Sequence, residues 1–403
     1  MDEIENGYLR AILTEAIQRG GRISFAEFMQ SVLYDPLQGY YNSGREIIGP
    51  EGDYFTNPGI HPVFGKLLAR QMNQMWEILG RPSPFFVVEM GAGKGLLCAD
   101  ILSQAREFFP AFFESLRYLL DDQSPAMREK QKALLNAFLP HVSWAGGEDS
   151  LAAERHYTGC LLSNELIDSF PVHLVQQSGG KLQEVFVALR GDSFCETLDD
   201  PSSPDLADYL EHYGLPLADG QRAEINLQAL AWLEQANRVL ERGFILTIDY
   251  GFEAADLYSP FRRDGTLLAY FRHTTSSNPY RRLGFQDLTA HVNFTALIRR
   301  GEELGLKKIG FADQYKFLLA LGLLREMEDF EKKAELYSPA EFLKSKLAMK
   351  RFLIPGGMGT LFKVLAQGKG VGGPALLGFE DPFRPSSLGT EKGNKGEGRS
   401  SPI

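Results

Sequence analysis

The β-rich run Phe85-Phe-Val-Val-Glu89 passes directly into Met90-Gly-Ala-Gly-Lys-Gly95, and a helical pattern begins at Leu96. Strand, tight glycine turn and helix in that order require an α/β fold whose parallel sheet presents a nucleoside-type ligand at the carboxyl edge of its strands. Gly91 and Gly93 permit positive φ and a close backbone approach where any Cβ would occupy ligand space, and Gly95 lets the helix begin close to the strand. The third glycine comes one residue earlier than in the dinucleotide fingerprint G-x-G-x-x-G, and Leu96 stands in its place. That spacing, with Glu89 two positions before the first glycine, favours S-adenosylmethionine, whose sulfonium is cationic and which has no pyrophosphate for Glu89 to repel.

The second strand ends in Leu119-Leu-Asp-Asp122, where a carboxylate can accept both hydroxyls of an adenosine ribose, and Asp122 is the candidate. The local alternative is that Asp122 and Ser124 cap the helix that starts at Pro125. Trp144-Ala-Gly-Gly-Glu-Asp149 stands where an adenine pocket would form, although Trp144 by itself reads better as a core side chain.

Around the glycine turn the pattern alternates short β-rich runs with amphipathic stretches. Strands are expected at 85–89, 116–121, 141–144, 159–163 and 243–249, with helices at 96–107, 125–138 and 227–240. A later pair at 306–311 and 359–365 would complete a seven-stranded, Rossmann-like class I sheet covered by helices on both faces. Residues 1–80 are expected to form a helical and lid region. Ser24-Phe-Ala-Glu27 matches a capping box before Phe25, Phe28, Met29, Val32 and Leu33, and the turn-rich stretch from Asp35 to Pro58 forms a lid. The methyltransferase-type domain then spans 81–367 with insertions near 172–215 and 252–290. The first begins as a hairpin, Val172–Gln177 and Lys181–Leu189 about Ser178-Gly-Gly180; the second, Phe252–Gln286, reads as substrate recognition or as a solvated loop. From 368 to 403 the Gly, Ser, Pro and Lys content predicts a flexible tail.

With 44% hydrophobic and 23% charged residues the chain is an ordinary globular protein, and its net charge of −10 argues against a broad phosphate-tracking surface, so no nucleic-acid partner is expected. Cys98, Cys160 and Cys195 lack paired spacing and read as buried free thiols; the seven histidines show no ligand spacing, and no metal is expected. No apolar run is long enough for a membrane span, and Met1-Asp-Glu-Ile-Glu5 has neither a secretory nor a transit-peptide character, so a cytoplasmic location is expected.

The fourth strand runs into Ser163-Asn-Glu-Leu-Ile-Asp-Ser-Phe-Pro171, placing Asn164, Glu165 and Asp168 at the carboxyl edge as the candidate catalytic groups. Methyl transfer to nitrogen needs a held nucleophile and a destination for its proton, and carboxylates supply both. For a guanidinium acceptor, Glu165 or Asp168 could form a planar two-bond clamp; turn chemistry alone would also account for Asp168 and Pro171. Asp249-Tyr250-Gly251 ends the fifth strand, and Asp287, His291 and Asn293 precede a helix that Asn293 could cap.

Several segments together resemble the MidA-like methyltransferase family: Gln38-Gly-Tyr-Tyr41, Gly52-Asp-Tyr-Phe-Thr-Asn-Pro58, Glu89–Gly95, Ser163–Asp168, Ile248–Gly251, Gly265–Tyr270 with His273, and Gln286–Thr295. The resemblance covers the chain to about residue 367. It implies a class I methyltransferase fold, S-adenosylmethionine as donor and a protein side chain as acceptor, which in a mitochondrial relative is an arginine of a respiratory-complex subunit. Gly59 and His61 depart from that family's Glu and Ser, and Asn293 from its Asp, which puts lid contacts and one acceptor carboxylate in question. Two other readings stay open from residues alone: a nicotinamide oxidoreductase, and an assembly factor that keeps the pocket with little activity.

Overall fold

The computed structural model describes residues 6–49, 52–54, 56–145, 156–355 and 358–383. Its centre is a sheet of seven strands: β1 (Phe85–Met90), β2 (Leu116–Asp121), β3 (Val142–Ala145), β4 (Tyr157–Asn164), β5 (Leu240–Phe252), β6 (Lys307–Asp313) and β7 (Phe362–Lys369). Their spatial order is β6-β7-β5-β4-β1-β2-β3, and a two-residue strand, Val292–Asn293, also pairs with β5. Strands β1 to β5 are parallel to one another, whereas β7 lies antiparallel between β5 and β6. Seven strands form as expected, but the last begins later than the expected 359–365, because Met358–Leu361 is a short helix and the strand is Phe362–Lys369. The inner strands are apolar runs buried on both faces, whereas β3 and β6 at the edges are only partly buried.

Alternation along each strand divides two apolar layers. Val87, Tyr118, Leu162 and Leu246 face one layer with helices α1 (Val63–Ile78) and α2 (Leu96–Phe108). Val88, Leu161, Ile245 and Leu365 face the other, with α3 (Leu227–Val239) and α4 (Phe294–Glu303). The glycine turn therefore sits at a rigid sheet edge held from both sides.

The first insertion builds a second sheet. Its expected hairpin is His173–Ser178 and Lys181–Arg190, extended by Ser193–Asp199, Arg222–Ile225 and, from the N-terminal region, Ile23–Ser24. Cys195 lies on the added strand and is only half-buried, unlike the buried Cys98 and Cys160, so the expectation of three buried thiols is corrected at that position. The second insertion is ordered around a small sheet of Leu268–Phe271, Thr274–Ser276 and Asp287–Thr289. Residues 370–383 also pack onto the body: Leu376 is buried, Phe379 meets Phe317 edge-on at 5.1 Å, and the Gly378 N–H donates to Gln71 Oε1 at 2.9 Å. The start of the expected flexible tail is thus anchored by its few apolar side chains; 384–403 lie outside the described residues. No helix among the described residues is long and apolar enough to cross a membrane.

The capping box forms as its sequence requires: Ser24 accepts from the Glu27 N–H at 3.2 Å while Glu27 accepts from the Ser24 N–H at 2.8 Å, at the start of the helix Phe25–Tyr34. All five apolar residues named with it are buried. Replacing Ser24 by Ala should lower the unfolding free energy by about 1 kcal/mol in a urea titration. An unchanged midpoint would show that this helix start does not depend on the box.

Candidate active site

The glycine turn opens into a cavity of about 500 Å³ that is lined by Gly91–Lys94, Asp121, Asp122, Glu165, Asp168 and Asp287 among others. Gly91 and Gly93 have φ of 69° and 54°, and a Cβ on Gly91 would come within 2.8 Å of Leu166 Cδ1. Gly95 has φ of 79° as the first residue before α2, where a Cβ would crowd Gln131 at 3.2 Å. Gly91 therefore keeps the β4 loop close, and Gly95 admits the helix Pro125–Leu135.

Glu89 is buried at the end of β1 and accepts the Tyr118 hydroxyl at 2.7 Å; burial pushes its carboxyl up to about 8 against that hydrogen bond, with Asp122 adding to the rise. Asp122 accepts from the Ser124 N–H at 2.9 Å and from Gln131 Nε2 at 3.0 Å, and burial raises it to about 6. Both alternatives for this residue leave a trace: Asp122 faces the cavity and also holds the start of the helix. Ser124, in contrast, makes no side-chain cap and donates to the Tyr41 carbonyl at 3.2 Å. Trp144 and Ala145 complete β3, and the remainder of the expected adenine segment, 146–149, lies outside the described residues.

The three candidate catalytic residues come together after β4. Asn164 Nδ2 donates to Glu165 Oε1 at 3.0 Å, and the Asn57 N–H of the lid donates to the same oxygen at 2.7 Å. Glu165 has φ of 53°, a left-handed conformation uncommon for a residue with a Cβ, and such strain persists where the surroundings hold it. The Glu165 N–H donates to the Ile248 carbonyl at 2.9 Å, and the residues after it are gathered by Asp249. One oxygen of this fully buried carboxylate accepts from the N–H groups of Leu166, Ile167 and Asp168 at 3.2, 2.8 and 3.4 Å, and the other accepts from Tyr250 N–H at 2.8 Å.

Sequence reasoning did not assign Asp287 a role, and the structure places it in the cavity with Tyr41 donating to Oδ1 at 2.7 Å. Burial pushes Glu165 up to about 8, with Asp249 adding to the rise, and pushes Asp287 up to about 7. Asp168 is driven well up by burial and by the charges of Asp249, Asp287 and Glu165. Of the adjacent Asp168 and Asp249, the latter carries the charge, because four N–H groups point at it. Tyr34, Tyr41, Tyr54, Tyr250 and Tyr270 complete the walls. No signal within one segment marks this set, since Tyr41 and Asp287 stand 246 residues apart.

The family departures fall outside the cavity. Asn293 caps α4 through the Ala296 N–H at 3.2 Å and donates to the Tyr213 carbonyl at 3.0 Å, so the loss of a carboxylate there removes none from the cavity. His61 binds Ser345 Oγ through Nε2 at 2.7 Å and accepts the Val63 N–H at 3.0 Å. The lid residues that line the cavity include Tyr41, Ile48, Tyr54 and Thr56. Lys94 fastens the lid to the glycine turn by donating to the Ile48 carbonyl at 2.6 Å and pairing with Glu46.

A parallel sheet with one antiparallel strand beside its last member, a glycine turn after β1 and acidic residues ending β1 and β2 define a class I methyltransferase. The left-handed glycines and facing carboxylates fit S-adenosylmethionine, which supplies an electrophilic methyl group on sulfur. The chain belongs to the family described as "Putative S-adenosyl-L-methionine-dependent methyltransferase", whose model matches residues 67–312. Over 92% of this chain and 86% of the relative, it is 29% identical to the "Protein arginine methyltransferase NDUFAF7 homolog, mitochondrial" of Drosophila melanogaster. It is 28% identical to the Homo sapiens protein of that name, over 76% of this chain and 71% of the relative. A crystal structure of a "likely methyl transferase from Burkholderia thailandensis bound to S-adenosyl-homocysteine" superposes with a TM-score of 0.82 at 30% identity, covering 92% of this chain and 94% of that one.

These relatives settle the donor as S-adenosylmethionine and displace the nicotinamide reading. They also overturn the cytoplasmic expectation, because the curated relatives are named as mitochondrial and the N-terminal residues used for that expectation carry no weight against them. S-adenosylhomocysteine should raise the melting temperature of the wild-type chain by linkage. Gly93→Val should abolish the rise, and Asp122→Ala should weaken binding roughly tenfold or more, as expected when a charged hydrogen-bond acceptor is lost. Wild-type shifts in both variants would remove these residues from the donor site.

Proposed function

We propose that this chain transfers the methyl group to an arginine side chain of a protein, with Glu165 and Asp168 orienting the guanidinium and Asp287 completing the negative wall. The observation that carries this reading is the convergence of Glu165, Asp168 and Asp287 with a row of tyrosines beside the glycine turn, with no Lys or Arg side chain paired to any of these three among the described residues. A buried carboxylate group without a counter-charge favours a cationic, planar donor of hydrogen bonds, which a guanidinium is. The names of the curated relatives support the same acceptor. A respiratory-complex subunit is the acceptor protein that the sequence resemblance suggests.

Each transfer moves a methyl group from sulfur to nitrogen and frees one proton from the acceptor nitrogen. Glu165 is the residue placed to take it. Asn164 and the N–H of Asn57 orient the Glu165 carboxyl; with a pKa near 8 it holds a proton in the empty site at neutral pH, gives that proton to solvent when the two cationic reactants enter, and as the resulting carboxylate takes the proton freed by transfer.

The raised values fix the sign of the pH dependence. Glu165 and Asp287 rise from 4.5 and 3.8 to about 8 and 7, so the folded chain binds more protons than the unfolded one between those limits. The contribution of these two groups to stability without ligand is therefore fully present at the acidic end and is lost as pH rises from about 4 to about 8, and Glu165→Gln should remove the Glu165 part of that loss. Denaturant titrations of wild type and variant across this range test it; a difference between the two that does not change with pH contradicts the protonated Glu165.

The reaction itself is tested by incubating the purified chain and labelled S-adenosylmethionine with an extract lacking this protein, then identifying the modified residue by mass spectrometry. Glu165→Gln should lower kcat/KM for the acceptor at least about a hundredfold while the S-adenosylhomocysteine melting shift is retained. Label on a residue other than arginine would replace the acceptor assignment, and full activity of the variant would take Glu165 out of the mechanism.

A further inference from the structure

Far from the glycine turn in sequence, helices α5 (Leu323–Glu331) and α6 (Pro339–Arg351) form a helical pair next to the first apolar layer. The later helix is apolar on two sides. Its inner side buries Met349, stacks Phe342 on Phe330 at 5.1 Å, and leads into the buried Phe352. Its outer side leaves Leu343 and Leu347 exposed at 56% and 53%, one helical turn apart on the same face. Leu336 just before the helix and Ile354 just after it are exposed at 77% and 51%.

A helix with apolar residues on two sides is ordinarily covered on both. The uncovered side is bordered by lysine. Residues 332–355 contain six basic side chains, Lys332, Lys333, Lys344, Lys346, Lys350 and Arg351, against Glu335 and Glu341, whereas α5 before them is acidic, with Glu326, Glu328, Asp329 and Glu331 against Arg325. Lys332 is paired with Asp329 at 2.8 Å. Lys346 is paired with Glu331 at 2.6 Å, and Glu341 is taken up in the capping box with Ser338. Lys344 and Lys350 are exposed beside the two leucines.

We propose that this face docks on an anionic lipid surface, with Leu343 and Leu347 entering the headgroup boundary and the flanking lysines meeting lipid phosphates. Exposed aliphatic side chains bordered by lysine are the composition of interfacial helices, in which apolar burial and charge attraction add. Lysine stems also lie along apolar surface while their ammonium groups stay with the headgroups. A protein partner fits less well, because lysine is depleted in the cores of protein interfaces and leucine is uncommon among their energetic anchors. A second copy of the chain fits less well still, since a two-fold contact through this face would set its basic flanks against each other. The docking is peripheral, in keeping with the lack of a spanning helix among the described residues.

The face is tied to the lid through Ser345, which meets His61 four residues beyond Asn57, the lid residue whose N–H binds Glu165. Docking there would fix the open cavity relative to the lipid plane. The inference does not depend on which side chain is methylated.

Sedimentation of the full chain with vesicles of phosphatidylcholine alone, and of phosphatidylcholine mixed with phosphatidylglycerol, tests it. The wild type should pellet with the anionic vesicles only, and less so as salt is raised. L343E/L347E should abolish pelleting, and K344Q/K350Q should weaken it roughly tenfold or more and flatten its salt dependence. Each variant should keep the S-adenosylhomocysteine melting shift, which shows that it is folded. Wild-type protein that stays in solution with anionic vesicles at low salt overturns the proposal, as does undiminished pelleting of the leucine variant. A dimer seen by ultracentrifugation, lost in L343E/L347E and formed by a wild type that binds no vesicle, would give the face to a second copy and overturn it equally.

Discussion

The carboxylate of Asp249 is the interaction on which the acceptor side of the cavity depends. It lies at the end of the central strand β5, fully buried, and collects N–H groups from three consecutive residues of the neighbouring β4 loop and one from Tyr250. Burying a charge costs several kcal/mol, and charged hydrogen bonds worth about 1.5–3 kcal/mol each can offset that when several converge. Burial still lifts Asp249 to about 7, so the balance is close. The consequence is geometric: the loop after the left-handed Glu165 is held against β5, and Asp168 is brought against a charge that keeps its own proton on.

From that point the rest of the cavity follows by contact. Glu165 accepts from the lid at Asn57, Asn57 accepts from Gln314 beyond β6 at 2.9 Å, and Asp287 accepts from Tyr41. Another lid residue, Asp53, accepts the Tyr40 hydroxyl at 2.8 Å and the Arg272 N–H of the second insertion at 2.7 Å. The lid is thus held from the sheet edge, the glycine turn and the insertion. The glycine turn and the Glu165 loop share one cavity, along which Tyr41, Ile48, Tyr54 and Thr56 of the same segment are placed.

What the sequence disclosed and what it concealed divide by the range of the interaction. The glycine turn, the seven strands and the Ser24 capping box were legible because each is set by spacing within a few residues. The second sheet was legible only at its hairpin; Ser193–Asp199, Arg222–Ile225 and the docked Ile23–Ser24 carry too few alternating residues to announce their pairing. Asp287 was visible as a polar residue, yet its function rests on Tyr41, and no local pattern connects positions 246 apart. Asn293 shows the reverse: a departure that looked like a lost acceptor group is a helix cap, a role readable from its place before Phe294.

The charge balance of the proposed reaction gives the raised pKa values a chemical sense. The reactants bring two positive charges to the cavity, a sulfonium and a guanidinium, whereas the products keep one and release a proton. A site of ionised carboxylates would bind both reactants strongly but would be costly to fold empty; a site of protonated carboxyls is stable when empty and loses protons as the cations enter. Glu165 and Asp287, with values of about 8 and 7, stand between these limits at neutral pH. After transfer the donor is neutral, one carboxylate can regain the freed proton, and the field that held the reactants is weaker for the products. Burial of these carboxylates therefore does more than shape a pocket: it makes attraction for the substrates conditional on their charge and relaxes it once that charge has been spent.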